Sequence, residues 1–195
     1  MLPTSRIELY ANDEVKHYKH VVKERTYRRL REYPGDILIT RRLRQRLKFL
    51  YFIVDTSKYV MDKNSISFTA RKISMLSQNF YIFLCIFSYK AYEFDLGKNL
   101  GISSIINIFE KFKVHGEETI LSSALEKMIK RGVKKGIVIS NFEFVDLDES
   151  EKMVEKYGLK LFGIVINDNK KVNQIVEKIT HDYIFIDIND LRKEP

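Results

Sequence analysis

The run Phe49-Leu50-Tyr51-Phe52-Ile53-Val54 constrains this chain more than any other stretch. Six apolar or aromatic residues in succession are too few for an ordinary helix and too rich in β-branched and aromatic side chains for a loop. They read as a strand buried on both faces, and such strands belong to parallel sheets covered by helices on each side. Asp55, Thr56 and Ser57 come immediately after. Ligands bind at the carboxyl ends of strands in open α/β sheets, and a carboxylate followed by two hydroxyls supplies hard oxygen donors there.

Similar apolar runs recur at Phe80–Phe87, Gly136–Ile139, Leu159–Ile166 and Tyr183–Ile186. Between them, apolar residues spaced by three and four predict helices over 65–78, 102–112, 120–131, 148–157 and 169–180. Asn64 or Ser65 is expected to cap the first of these, Asp148 with Glu151 forms a capping box, and Gly132 and Gly158 mark helix ends. Ala91–Asp95 alternates and comes after a short turn, which predicts a hairpin and an antiparallel edge strand, while Asn189–Lys193 reads as a terminal helical turn. The expected fold is α/β, a doubly wound, mostly parallel sheet with one antiparallel edge strand and helices on both faces.

Ahead of this domain the pattern differs. Residues 1–13 show no sustained period and read as a loosely held lead-in, 14–33 as a helix, Pro34-Gly35-Asp36 as a turn and 37–40 as a short strand. The expected organisation is a basic N-terminal helical extension over 1–46 and a domain over 47–195. Of the chain's net charge of +8, all of it falls within residues 14–48, which hold twelve Lys/Arg against four acids. That concentration asks for an anionic partner, with Arg28, Arg29, Arg31, Arg41, Arg42, Arg44 and Arg46 as the candidate contacts.

Other classes are disfavoured. No apolar run approaches the roughly 18 residues of a spanning helix and the polar start is not a signal peptide, so no membrane association and a cytoplasmic location are expected. The single Cys85 lies in an apolar run and reads as a buried hydrophobe. No glycine-rich loop comes after any strand, against a nucleotide site. Richness in Lys, Ile and Glu hints at a thermophilic, archaeal source.

Three groups of residues carry a resemblance. An apolar strand running into Asp55-x-Ser57, a Thr119 at the head of a helix with Gly116 before it and Ala124-Leu125 after it, and the strand Ile137-Val138-Ile139-Ser140-Asn141 together resemble a von Willebrand factor A domain over residues 47–190. That family's metal-ion-dependent adhesion site uses Asp-x-Ser-x-Ser, a Thr and a later Asp. The resemblance therefore implies Asp55, Ser57, Thr119 and Asn141 as a degenerate Mg²⁺ site, because Tyr59 stands in place of the second Ser and Asn141 in place of the Asp. Gly35-Asp36-Ile37-Leu38-Ile39-Thr40-Arg41-Arg42-Leu43-Arg44 is similar to a run that precedes the domain in CoxE-like proteins. Tyr33-Pro34-Gly35-Asp36 is similar, more distantly, to a stretch in proteins encoded beside MoxR-type ATPases. These likenesses imply a non-enzymatic protein-interaction module serving as an adaptor for an AAA+ ATPase.

The alternative is nucleic-acid binding through the basic segment 16–48. Enzymatic readings are weaker. A haloacid-dehalogenase-like phosphatase needs a second Asp where Ser57 stands, and no spacing signature joins Asp55, Glu143, Asp146 and Asp168 into a nuclease site. His17 and His20 lack a third metal ligand, and Asp187 and Asp190 read as turn and cap residues. Tyr81, Phe83, Phe87, Tyr92 and Phe94 read as packing residues.

Overall fold

The computed structural model describes residues 7, 9–12, 48–57, 60, 62–112, 118–166 and 173–186. The helix expected over 14–33, the strand over 37–40, the arginine run, Tyr59 and the terminal turn of helix lie outside the described residues, so the two-part organisation remains an expectation.

The described elements are β1 (Phe49–Asp55), α1 (Lys63–Ser77), β2 (Tyr81–Phe87), β3 (Ala91–Gly97), α2 (Ile102–Phe112), α3 (Leu121–Lys130), β4 (Lys135–Ser140), α4 (Leu147–Tyr157), β5 (Lys160–Ile166), α5 (Asn173–Ile179) and β6 (Asp182–Ile186). The strands form one sheet in the order β3-β2-β1-β4-β5-β6. Every pairing is parallel except that of β3 with β2, so the doubly wound sheet with one antiparallel edge is as expected.

Each residue of β1 is buried, because β2 and β4 bond to its two edges and helices cover both faces. Its alternate side chains feed separate cores. Leu50, Phe52 and Val54 join the buried faces of α1 and α2, whereas Phe49, Tyr51 and Ile53 join those of α3, α4 and α5. The helix stops predicted at glycine are present. Gly132 and Gly158 adopt φ of 74° and 59°, and the amide of the residue after each, Val133 and Leu159, bonds back to the carbonyls of Met128 and Val154.

Three local expectations are corrected. The cap of α1 is Asp62, whose carboxylate accepts from Ser65 N at 2.7 Å; an acidic side chain just before the helix outcompetes Asn64 and Ser65. The N-cap position of α4 is Asp146 rather than Asp148. The lead-in is held at its described residues. Ile7 and Tyr10 are buried in the first core, with the Tyr10 ring 5.3 Å from that of Phe162. Asn12 exchanges backbone bonds with Phe49, and its side-chain amide donates to Lys135 O (2.7 Å) and accepts from Lys135 N (3.1 Å). One amide thus fills the gap between the starts of β1 and β4.

A polar link fastens the edge strand. Tyr51 is fully buried in mid-β1, so its hydroxyl needs a partner, and it donates to Glu93 Oε1 on β3 at 2.6 Å. Glu93 also accepts a two-pronged pair of bonds from Arg131, just past α3, at 2.9 and 2.6 Å. The guanidinium lies 4.2 Å from the Phe83 ring centroid. Half-burial alone would favour the neutral acid, yet the bonds from Arg131 and Tyr51 hold the Glu93 carboxyl below the usual carboxylate range. Cys85, in the same core, has its thiol pushed up to about 12 by burial and is a protonated packing side chain.

Replacing Arg131 with Met should cost about 2 kcal/mol, less than for a fully buried pair because both side chains keep some water contact. The folded-state pKa of Glu93 lies below its unfolded value, so this stabilisation is complete above the unfolded carboxylate range and is lost as pH falls through the folded value. Urea denaturation of both proteins at neutral and acid pH checks this. The gap between them should narrow in acid.

Candidate functional site

The strand order changes direction between β1 and β4. From β1 the chain winds outward to β2 and β3, then returns to β4 and continues to β5 and β6 on the other side. At such a switch point the loops at the strand ends part to leave a crevice. β1 ends there in Asp55 and β4 in Ser140.

The two are joined directly. Ser140 Oγ donates to Asp55 Oδ2 at 2.7 Å, and Ser57 N donates to Asp55 Oδ1 at 2.8 Å, closing a tight turn after the strand. Thr56 is tied instead to the end of β2, both its amide and its hydroxyl donating to Phe87 O. The Asp55 carboxyl is wholly buried, and that burial pushes its pKa upward against the pull of the Ser57 amide and Ser140 hydroxyl. The buried Ser57 hydroxyl also lowers the Asp55 pKa, yet it makes no hydrogen bond of normal geometry among the described residues.

Asn141 continues the site. Its Oδ1 accepts from Glu143 N at 3.2 Å and its Nδ2 donates to Glu143 Oε2 at 2.9 Å. Phe142 between them has φ of 61°, unusual for a residue with a side chain. It is held by burial. The Phe142 ring reaches within 3.1 Å of where a Cβ on Gly163 would lie, so the glycine on β5 is what admits it, and its centroid lies 5.4 Å from that of Phe144. Its amide is satisfied by Ser140 Oγ at 3.0 Å.

Thr119 reaches the same end of the sheet through its neighbours. Ser88, just beyond β2, accepts from Ile120 N and donates its hydroxyl to Glu118 O, while Thr119 O accepts from Val145 N. Asp55, Ser57, Thr119 and Asn141 are thus all buried at the C-terminal end of the central strands. The candidate arginines lie outside the described residues. Glu143 and Asp146 come after β4 but do not converge on Asp55 through any bond among the described residues.

Two residues matter here beyond the four implied as the metal site. Ser140 was legible as a polar group at a strand end; that it bonds Asp55 is a result of β4 lying beside β1. Asp146 has its carboxylate on the N-terminus of α3, accepting from Leu121 N at 2.9 Å and Ser122 N at 2.7 Å, with Ser150 Oγ at 3.1 Å. The N-cap residue of α3 is Ile120, which has no side-chain acceptor, and the Asp146 carboxylate, 25 residues beyond Leu121, does that work.

No family model matches the chain and no curated protein matches its sequence. Solved structures share its fold. It is similar to a conserved hypothetical protein, BatB, from Bacteroides thetaiotaomicron at 13% identity, with 74% of this chain and 98% of that one aligned and a TM-score of 0.52. An aerotolerance-related membrane protein from Bacteroides fragilis aligns at 13% identity over 73% of this chain and 94% of that one, with a TM-score of 0.51. Proximal thread matrix protein 1 from the mussel byssus, in a structure with a zinc-occupied MIDAS motif, aligns at 15% identity over 74% of this chain and 42% of its own, with a TM-score of 0.51. These neighbours have von Willebrand A-like folds, and the architecture of this chain is of that type.

Two outcomes test the site. Because the folded-state pKa of Asp55 lies above its unfolded value, ionising it costs stability, and the cost grows as pH rises through the interval between the two values. Asp55→Asn should therefore be as stable as the parent in acid and more stable at neutral pH, read by denaturant unfolding. Asp146→Ala should cost about 1–2 kcal/mol through loss of the α3 cap, whereas exposed Asp148→Ala should change stability by less than about 0.5 kcal/mol. Thermal melts of the pair decide.

Proposed function

We propose that the chain is a non-enzymatic protein-interaction module of von Willebrand A type that binds a partner protein through the face around Asp55, Ser57, Thr119 and Asn141. The observation that carries this is the bond between Asp55 and Ser140 across the switch point of the sheet, with the buried polar groups of Ser57, Thr119 and Asn141 collected at the same strand ends. The fold shared with solved structures supports it at the level of architecture only.

The donor set argues against a resident Mg²⁺. A small dication asks for near-octahedral oxygens and compensating negative charge. Here a single carboxyl is buried at the strand ends, and both its oxygens already accept hydrogen bonds. Position 141 supplies a neutral amide where a second carboxylate would bring negative charge. The Ser57 hydroxyl oxygen, which has no hydrogen-bond partner among the described residues, is a donor atom a cation would take. Metal coordination in this reading is weakened or lost, and the partner is recognised by the shape of the loops that these buried groups hold in place.

The run Gly35–Arg44 supports a narrower role as an adaptor for a MoxR-type AAA+ ATPase, with the basic extension available to an acidic surface of the assembly. Among the described residues no helix is long and apolar enough to cross a membrane.

Calorimetry of the full chain with millimolar Mg²⁺ or Mn²⁺ should give no heat; binding that disappears in Asp55→Ala would restore the metal site. Tagged full-length protein recovered from its native source should bring down a specific partner, an AAA+ ATPase on the narrower reading. Asp55→Ala, which frees the Ser57 amide and the Ser140 hydroxyl and so loosens the loops that form the face, should reduce that recovery at least about tenfold, roughly 1.4 kcal/mol of binding free energy. Recovery of no partner would end the proposal.

A further inference from the structure

Away from the strand ends, two grooves flank the exposed side of α3. One, of about 340 Å³, runs between α3 and the β2–β3 hairpin, bordered by Tyr89, Lys90, Ser123 and Lys127. The other, of about 620 Å³, runs between α3 and α4 over Ile129, Met153 and Tyr157. Glu126 and Lys130 border both, so the two form one surface across the helix.

The charge on this surface is one-sided. Lys90, Lys127, Lys130, Lys152 and Lys156 rim the grooves, and all are exposed. Only Glu126 and Glu149 oppose them, and Glu126 is already paired with Lys130 at 2.9 Å. Among the described residues, no ion pair occupies Lys90, Lys127, Lys152 or Lys156. Beneath this rim the larger groove has an apolar floor of Ile129, Met153 and Tyr157, the last 42% exposed with Lys156 Nζ 5.3 Å from its ring centroid. An apolar floor inside a ring of like charge fits a partner that is apolar on one face and oppositely charged at its flanks.

We infer that this surface docks an acidic, amphipathic segment of a partner protein. The inference rests on the protein-interaction function proposed for the chain and names the chemistry of the segment that is bound. The chain's own residues 14–48 are unsuited as occupant, because their excess of twelve Lys/Arg over four acids has the sign of the rim. A second copy brings the same lysines. A nucleic acid is less suited than a peptide, since Glu126 and Glu149 stand in the walls where a continuous phosphate chain would pass. A peptide can set its carboxylates against the lysines and its apolar side chains on Met153 and Ile129.

The test uses the full chain and a fluorescein-labelled helical peptide built of Leu and Glu, monitored by anisotropy. Lys127→Glu/Lys152→Glu should weaken binding about tenfold or more at low salt, with a smaller loss at high salt, as rim charges do. Met153→Ala should weaken it at both salt concentrations, and Arg41→Ala/Arg42→Ala/Arg44→Ala should leave the effect of the lysine reversals unchanged. Unaltered thermal melts of these surface variants establish that folding is intact. Equal binding by parent and lysine-reversed protein overturns the inference, as does a single-stranded oligonucleotide or an anionic vesicle that binds more tightly with the same residue dependence. Capture of the native partner is measured on the same proteins. Capture lost in Asp55→Ala but retained in the lysine-reversed protein removes this docking surface alone, whereas capture lost in neither removes both readings.

Discussion

The rest of the fold depends on β1 being hydrogen-bonded on both edges and covered on both faces. A strand so placed loses water along its whole length, and every polar atom on it must then be satisfied within the protein. Its two polar side chains each recruit partners from distant elements. The Tyr51 hydroxyl, in mid-strand, is met by Glu93, and Glu93 needs Arg131, so a single buried phenol links the central strand to the edge strand and the end of α3. Asp55, at the strand's end, is met by the Ser57 amide and the Ser140 hydroxyl, which ties β1 to β4 at the switch point.

The same requirement shapes the surface where binding is proposed. The loop after β4 is fixed for reasons that can be named residue by residue: Ser140 Oγ satisfies the Phe142 amide, Gly163 gives the Phe142 ring room, and Asp146 is committed to the amides of α3. Thr119 is held between Ser88 and Val145. A face built from groups already bonded to one another is preorganised, which lowers the ordering cost of association. The lysine-rimmed side of α3 is different in kind. Its lysines are exposed, and apart from Lys130 none is in an ion pair among the described residues, whereas Asp55 and Ser140 are bonded to each other within the fold.

Local rules read the element pattern well. Unbroken apolar runs marked all the strands of the sheet except β3, which was marked by alternation and a turn, and the glycines at 132 and 158 stop their helices as a left-handed backbone position requires. The burial of Asp55, Ser57, Thr119 and Asn141 at strand ends likewise comes from their adjoining apolar runs. Caps were read less well, because competing acceptors lie within a residue or two of each other. Asp62 takes the role assigned to Asn64 or Ser65, and Asp146 leaves its own helix to cap another. Asn12 was not legible at all. Nothing in its neighbourhood predicts that an amide will complete the edge between β1 and β4, whose lysine partner lies 123 residues away.

By itself the sequence determined the α/β class, the buried central strand and the carboxylate at its end, since each comes from periodicity and hydrophobicity along a few consecutive residues. Tertiary structure alone decided which strand stands beside β1, and therefore that Ser140 meets Asp55, that Glu93 meets Tyr51 and Arg131, and that the lysines of the hairpin, α3 and α4 share one surface. The physical reason is range. Helix and strand propensity act between near neighbours, whereas a buried polar group can be satisfied by any residue that chain topology delivers to within hydrogen-bond distance, however far off it lies in the sequence.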